Sequence, residues 1–170
     1  MGSTRIWLPP VLLISAVILQ STLLQEIALK GVVPDVSLVL LVFFAYQQGS
    51  MSGQVNGFIS GIIQDFLSTA PLGLNACVRT VIGLLYGVLK GKVFVDPIFL
   101  PMILIVFATI IKAIFIAFLS VVFIADGGGR MIFGSPFWIE LGMNAILAPF
   151  LFGLLKMFSI FKVRETGGFT

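Results

Sequence analysis

The chain has 170 residues, of which 59% are hydrophobic and only 10% are charged, and its formal net charge is +3. A soluble domain carries about 25% charged residues, so the composition excludes one and indicates an integral membrane protein. The single cysteine and the lack of histidine exclude an internal disulfide bond and a zinc site built on these residues. The basic residues are scattered rather than clustered, so we expect no nucleic-acid partner.

Apolar runs separated by polar, glycine and proline residues predict an all-α fold with six transmembrane helices in one domain, residues 1–170. The predicted spans are 7–24, 36–48, 52–67, 74–89, 99–124 and 136–161. The second is short, because its strictly apolar part covers roughly 17 Å of a hydrocarbon core about 30 Å thick. Helices 2 and 3 are therefore either two full spans in a thinned bilayer or a re-entrant hairpin, and we favour six full spans.

The distribution of lysine and arginine predicts the orientation of the chain. With the N-terminus inside, the cytoplasmic basic residues are Arg5, Lys90, Lys92, Lys162 and Arg164, and those outside are Lys30 and Arg130. Cytoplasmic loops of membrane proteins carry the excess of basic residues. We therefore expect both termini in the cytoplasm, which agrees with an even number of spans.

Glycines recur at every fourth position of the third predicted helix. Gly53, Gly57 and Gly61 lie on one helical face, which ends at Asp65. Glycines let another backbone approach closely, and this is how helices associate in lipid. The sequence predicts that the three glycines form a helix-packing face or the face that binds a partner protein.

Four ionisable residues fall inside predicted spans, and their formal charges sum to zero: Asp65, Arg79, Lys112 and Glu140. An unpaired charge at the bilayer centre costs at least about 2.5–3.5 kcal/mol, which favours pairing inside the bundle. The topology places Asp65, Arg79 and Glu140 at similar depth in the outer half. We expect these three to form a polar cluster facing an outward-opening cavity, while Lys112 joins them or faces a partner protein. The alternative is a set of structural ion pairs that bind no ligand.

No pattern in the sequence indicates catalysis. Ser68, Thr69 and Cys77 have no histidine to act as a base, and the glycines at 127–129 lack the lysine and hydroxyl of a phosphate loop. We expect no catalytic residue, no cofactor and no metal site, and hence no enzyme.

Three stretches resemble the MreD family of rod shape-determining membrane proteins: PDVSLVLLVFFAYQQG, GFISGIIQDFLSTAPLGLNA and FWIELGMNAILAPFLFGLL. The positions that carry the resemblance are Gln20, Pro34, Asp35, Gly57, Gly61, Asp65, Pro71, Gly73, Asn75, Asn144 and Pro149. Arg79 and Lys112 match no motif of that family.

The resemblance implies a bacterial inner-membrane protein that binds MreC, a protein with a single membrane span. Through MreC and the MreB filament, such a protein supports the glycosyltransferase and transpeptidase that extend the peptidoglycan sidewall. The resemblance also implies a six-helix fold similar to the substrate-binding component of energy-coupling-factor vitamin transporters.

Two functions from different classes remain open at this point. The first is a non-catalytic scaffold of the cell-elongation complex. The second is a membrane component that binds a vitamin-type small molecule for a transporter, although the short outer loops offer few recognition groups beyond Trp138 and Asn144. An ion-coupled carrier would require internal repeats, which the sequence does not show.

Overall fold

The protein is described by a computed structural model that covers residues 4–90, 99–123 and 134–157. Its α-helices are α1 (Thr4–Thr22), α2 (Val36–Gln48), α3 (Ser50–Leu67), α4 (Leu74–Val88), α5 (Phe99–Phe123) and α6 (Ser135–Met157). A short 3-10 turn, Leu24–Ile27, follows α1. These six helices fit the six that the sequence predicts. The predicted ends at 124 and 158–161, and Lys92, Arg130, Lys162 and Arg164, lie outside the described residues.

Within the described ranges, three segments are long and apolar enough to cross a membrane: Trp7–Glu26, Phe99–Leu119 and Ser135–Met157. Helices α2 and α4 are shorter and also apolar. The all-helical fold of an integral membrane protein is thus confirmed. Whether α2 and α3 each cross the bilayer stays a prediction.

Helix α2 is the central helix of the bundle. It packs against α1, α3, α4, α5 and α6, whereas no Cα atom of α1 comes within 8 Å of one of α6 in the described part of the chain. Its residues from Ser37 to Ala45 are all buried, as expected for a helix that is apolar on every side. Phe43 packs edge-on against Phe152 of α6, with ring centroids 5.0 Å apart. The other five helices expose large apolar side chains on their outer faces, including Trp7, Phe58, Leu85, Phe107 and Phe150.

Helices α3 and α4 form a hairpin whose backbones touch. A Cβ atom added at Gly53 would overlap the carbonyl of Gly83, and one at Gly57 would overlap the carbonyl of Arg79. At Gly61 it would overlap the Cα atom of Ala76. The predicted packing face thus packs against α4 of the same chain. The alternative expectation, that these glycines form a face for a partner protein, is wrong, because α4 already covers them.

The glycine contacts predict a sharp difference between Gly57→Ala and Gly142→Ala. An alanine at Gly57 forces the α3 and α4 backbones apart, and overpacking of this kind costs about 1–3 kcal/mol. Gly142 lies in α6 with nothing within 4 Å of an added Cβ atom. Alanine there should be neutral or stabilising, since it favours helix by up to about 1 kcal/mol over glycine. Thermal unfolding in detergent measures the stability of both variants. Equal unfolding midpoints for the two would contradict the close approach of α3 and α4.

Candidate functional site

The N-terminus of α2 lies inside the bundle, where three side chains accept hydrogen bonds from its backbone N–H groups. The Asp35 N–H donates to Asn144 Oδ1 at 2.8 Å, and the Ser37 N–H donates to Gln20 Oε1 at 3.1 Å. The Leu38 N–H donates to the Asp35 carboxylate at 3.0 Å, so that Asp35 is the N-cap. The first N–H groups of a helix have no partner within the helix. Helices α1 and α6 and the cap residue itself provide those partners here.

The Asp35 carboxylate is also the centre of a chain of four charges. Its Oδ1 lies 2.8 Å from Arg79 Nη2, and its Oδ2 lies 2.6 Å from Lys112 Nζ. Lys112 Nζ in turn lies 2.6 Å from Glu140 Oε1. The Arg79 and Asp35 side chains are 3% and 4% exposed, against 16% for Lys112 and 22% for Glu140. These four residues, here called the Asp35 cluster, carry no net charge and open toward the surface only at Lys112 and Glu140.

The Asp35 cluster corrects the expected grouping of Asp65 with Arg79 and Glu140. The cluster contains Asp35 where Asp65 was expected. It also contains Lys112, which was one of the two alternatives expected for that residue. The reason is the length of α2. Its 13 residues extend about 20 Å and the 25 residues of α5 about 37 Å. Asp35 therefore begins α2 beside Lys112, at the middle of α5, and not in an exposed loop. The signal in the sequence was a short apolar run that begins directly after an aspartate.

Asp65 instead joins the end of α3 to the start of α4. Its Oδ1 accepts from the backbone N–H and the side-chain amide of Asn75, each at 2.9 Å. Its Oδ2 accepts from the N–H groups of Gly73 at 2.9 Å and Ala76 at 3.1 Å. A carboxylate is favourable at this position because the N-terminal end of a helix carries partial positive charge. Asp65 is 2% exposed, so this cap is buried.

Hydroxyl groups connect α5 to its neighbours. Asn144 Nδ2 donates to Thr109 Oγ1 at 3.3 Å, and the Thr109 hydroxyl donates to the Ile105 carbonyl at 2.9 Å. Five residues earlier on α5, the Leu104 carbonyl accepts from the Tyr86 hydroxyl of α4 at 2.7 Å. The sequence reasoning missed these groups, since a lone threonine or tyrosine in an apolar run gives no indication of its partner.

Comparison with known proteins identifies the family. The family model described as rod shape-determining protein MreD matches residues 1–158. The chain belongs to the MreD family. No curated protein and no solved structure matches it. The resemblance found in the sequence is thus confirmed. Membership of MreD, a structural family, gives the chain a role in rod shape determination and an association with the shape-determining machinery.

The polar positions of the MreD resemblance converge on two helix N-termini. Gln20, Asp35 and Asn144 all bond to the first turn of α2. Asp65 and Asn75 bond to each other at the first turn of α4. Buried N–H groups without partners are costly, most of all where no water is at hand. These side chains thus provide acceptors for the N–H groups in the first turns of α2 and α4.

The proline and glycine positions of the MreD resemblance shape the same two regions. Pro34, which has no N–H to satisfy, stands directly before the buried cap of α2. Gly73 has φ +94° at the N-cap of α4, a left-handed conformation that favours glycine, and the Pro71 carbonyl accepts from the Leu74 N–H at 3.2 Å. Pro149 lies within α6 and removes the N–H that would otherwise bond to the Ala145 carbonyl.

The chemistry of these groups is that of charge pairing and helix capping. Within 4–90, 99–123 and 134–157, no group of three or more Asp, Glu, Cys or His side chains could hold a metal ion. Each carboxylate described above accepts from a backbone N–H or from a cationic side chain. The arrangement holds helices in place.

Asp35→Asn should leave little folded protein. The substitution leaves Arg79 and Lys112 with one negative charge between them, and breaking a buried ion pair by removing one partner costs about 3–5 kcal/mol. Glu26→Gln is the control, because Glu26 is exposed on the 3-10 turn. Adding Arg79→Met to Asp35→Asn removes the cation that has lost its partner and keeps the Lys112–Glu140 pair, so it should recover part of the loss. Size-exclusion chromatography of heated, detergent-extracted protein measures how much of each variant remains folded. Wild-type stability of Asp35→Asn would contradict a structural role for the cluster.

Asp65→Asn should also destabilise the protein, although the new side chain has the same size. The amide group turns one acceptor into a donor that faces backbone N–H groups, and each buried group left without a partner costs about 1–3 kcal/mol. Ser68→Ala tests the same loop, since the Ser68 hydroxyl accepts only an exposed bond from the Ala70 N–H. We expect a lower unfolding temperature for Asp65→Asn and almost no change for Ser68→Ala. The same midpoint for both would show that Asp65 does not act as the cap of α4.

Proposed function

We propose that this chain is a non-catalytic scaffold of the bacterial cell-elongation complex. In this proposal it lies in the inner membrane with both termini in the cytoplasm. It binds MreC through the single membrane span of that protein, and together with the glycosyltransferase and transpeptidase of the complex it supports sidewall peptidoglycan synthesis. Membership of the MreD family supports the proposal, because the family acts in rod shape determination.

One observation carries the proposal of a scaffold over that of a binding protein: the polar groups inside the bundle bond mainly to one another. The Asp35 cluster is neutral within itself, and Asn144 bonds to both α2 and α5. A binding site for a small molecule needs polar groups that converge on the ligand and are available to it. Here the same groups hold the helix bundle together.

The partner's span is proposed to lie against the lipid-facing surface of the bundle. The glycine face of α3 is already covered by α4. The outer faces of α1, α3, α4, α5 and α6 carry large, exposed apolar side chains. In lipid, association of helices depends on close packing and on hydrogen bonds between them, because an apolar side chain gains no free energy by leaving the lipid tails. A single-span partner therefore needs shape complementarity with one of these faces.

The alternative is a vitamin-type substrate-binding component of a transporter, with the related fold that the resemblance implies. That similarity of fold stays a prediction. Under this alternative, Lys112 and Glu140, the more exposed members of the Asp35 cluster, would line the entrance to the binding site.

Affinity purification of the tagged protein in mild detergent tests the scaffold. Mass spectrometry should identify MreC or another single-span membrane protein among the proteins that co-elute, and no small molecule in stoichiometric amount. Glu26→Gln should recover the same partner, since it changes an exposed residue of a short turn. A stoichiometric vitamin-like molecule without a single-span partner would overturn the scaffold in favour of the transporter component.

Tryptophan scanning then locates the face that binds the partner. Exposed positions on the five outer helices are Ile18, Val55, Leu85, Ile103 and Ile146. Substitution at the contact face should lower partner recovery at least about tenfold, which corresponds to about 1.4 kcal/mol, while the yield of the scaffold itself is unchanged. Unchanged recovery at all five positions would contradict binding through the lipid-facing surface.

A further inference from the structure

Two neighbouring pairs of helices differ in length. Helices α3 and α4 have 18 and 15 residues and extend about 27 Å and 22 Å. Helices α5 and α6 have 25 and 23 residues and extend about 37 Å and 35 Å. The hydrocarbon core of a typical bilayer is about 30 Å thick. The α3–α4 hairpin is therefore shorter than this core, whereas α5 and α6 are longer than it.

The exposed apolar side chains show the same difference between the two pairs. On α3 they extend from Met51 to Phe66, over about 23 Å. On α5 they extend from Phe99 to Val121, over about 33 Å. The surface that α3 offers to hydrocarbon is therefore about 10 Å shorter than the surface that α5 offers.

Polar groups lie at both ends of the hairpin. At one end, the exposed residues Ser68 and Thr69 begin the loop between α3 and α4. At the other end, Lys90 follows α4, and its Nζ donates to the Gln48 carbonyl at 3.1 Å. A lysine near a helix end can extend its ammonium group along apolar surface toward water, but this bond holds the Lys90 ammonium beside the end of α2. Neither end of the hairpin therefore suits a position inside hydrocarbon.

Two contacts fix the depth of the hairpin relative to α5. The Asp35 carboxylate binds Arg79 of α4 at 2.8 Å and Lys112 of α5 at 2.6 Å. Two turns along α4, the Tyr86 hydroxyl donates to the Leu104 carbonyl of α5 at 2.7 Å. Helix α5 extends about 17 Å beyond Lys112, whereas α4 begins only about 8 Å beyond Arg79. Most of the difference in length therefore lies at the end of the bundle that holds the Asp35 cluster.

A bilayer adapts to a short apolar surface by becoming thinner beside it. Tilting would shorten the span of the hairpin further, and the two contacts with α5 keep the hairpin from sliding toward one surface of the membrane. We propose that the chain holds the bilayer thinner along α3 and α4 than along α5 and α6. The hairpin then selects lipids with short acyl chains. This inference concerns the lipid around the protein and holds whether or not the chain is a scaffold that binds MreC.

Fluorescence quenching by brominated lipids tests the proposal on the full chain in vesicles. The two native tryptophans are first replaced by phenylalanine, and one reporter is then added, as Leu85→Trp on α4 or as Ile103→Trp on α5. Both positions are exposed, and each directly precedes a residue of the hydrogen bond between Tyr86 and Leu104. The two reporters therefore lie at the same level on different sides of the bundle, and each is the matched control for the other.

We expect phosphatidylcholine with chains of about 14 carbons to bind beside Leu85→Trp at least about twofold more tightly than that with about 18 carbons, because the thinner lipid matches the hairpin. Beside Ile103→Trp the order should be reversed. The same order of chain lengths at both reporters would overturn the proposal. Lack of quenching at Leu85→Trp by any brominated lipid would overturn it as well, since protein rather than lipid would then cover the hairpin.

Cysteine labelling in sealed vesicles provides an independent measurement of whether the hairpin crosses the bilayer. In a Cys77→Ser background, Ser68→Cys should react with a membrane-impermeant maleimide from the same side as Glu26→Cys, since both positions are exposed at the end that holds the Asp35 cluster. If Glu26→Cys reacts and Ser68→Cys reacts from neither side, then α3 and α4 end inside the apolar layer. That result would overturn the thinned bilayer.

Discussion

The buried carboxylate of Asp35 is the interaction on which the rest of the bundle depends. It caps the central helix, and it binds one cation from α4 and another from α5. Neither the carboxylate nor the two cations could remain charged in an apolar layer alone. Because the three charges come from three different helices, their pairing determines the relative depth of those helices. Asn144 and Gln20 add α6 and α1 to the same point through the backbone of Asp35 and Ser37.

Two different forces hold the two parts of the bundle. Helices α3 and α4 are joined by direct contact of their backbones along the glycine face, and the Asp65 cap closes the hairpin at its end. Helices α5 and α6 attach to the others at separate levels: the Asp35 cluster, the edge-on contact of Phe43 with Phe152, and the hydrogen bond from Tyr86 to the Leu104 carbonyl. Around these contacts, buried apolar residues of α5 and α6, among them Ile105, Ala108 and Ala148, share one hydrophobic core with α2.

The sequence predicted the helices well because lipid imposes a length and an apolar composition on them. The glycine spacing indicated close packing, and helix ends placed Arg79 and Glu140 at comparable depth. The partners of these charges could not be predicted in the same way. Asp35 precedes a helix, and helix length alone does not say whether that helix begins at the membrane surface or within the bundle. Asp65 resembles a charge that needs a cation, but the turn after it supplies backbone and amide N–H groups in place of one. The choice between α4 and a partner protein for the glycine face needed the three-dimensional contacts.

The central position of α2 has a consequence for how the protein is made. This helix is synthesised before α4, α5 and α6, yet its cap charge is paired by residues of α4 and α5, and the Asp35 N–H donates to Asn144 of α6. During synthesis Asp35 therefore has no counter-charge until α4 enters the membrane and lacks its full set of partners until α6 does. Helices α1 and α2 alone therefore lack the groups that pair the buried start of α2, and correct folding of this first part of the bundle depends on helices that follow it in the chain.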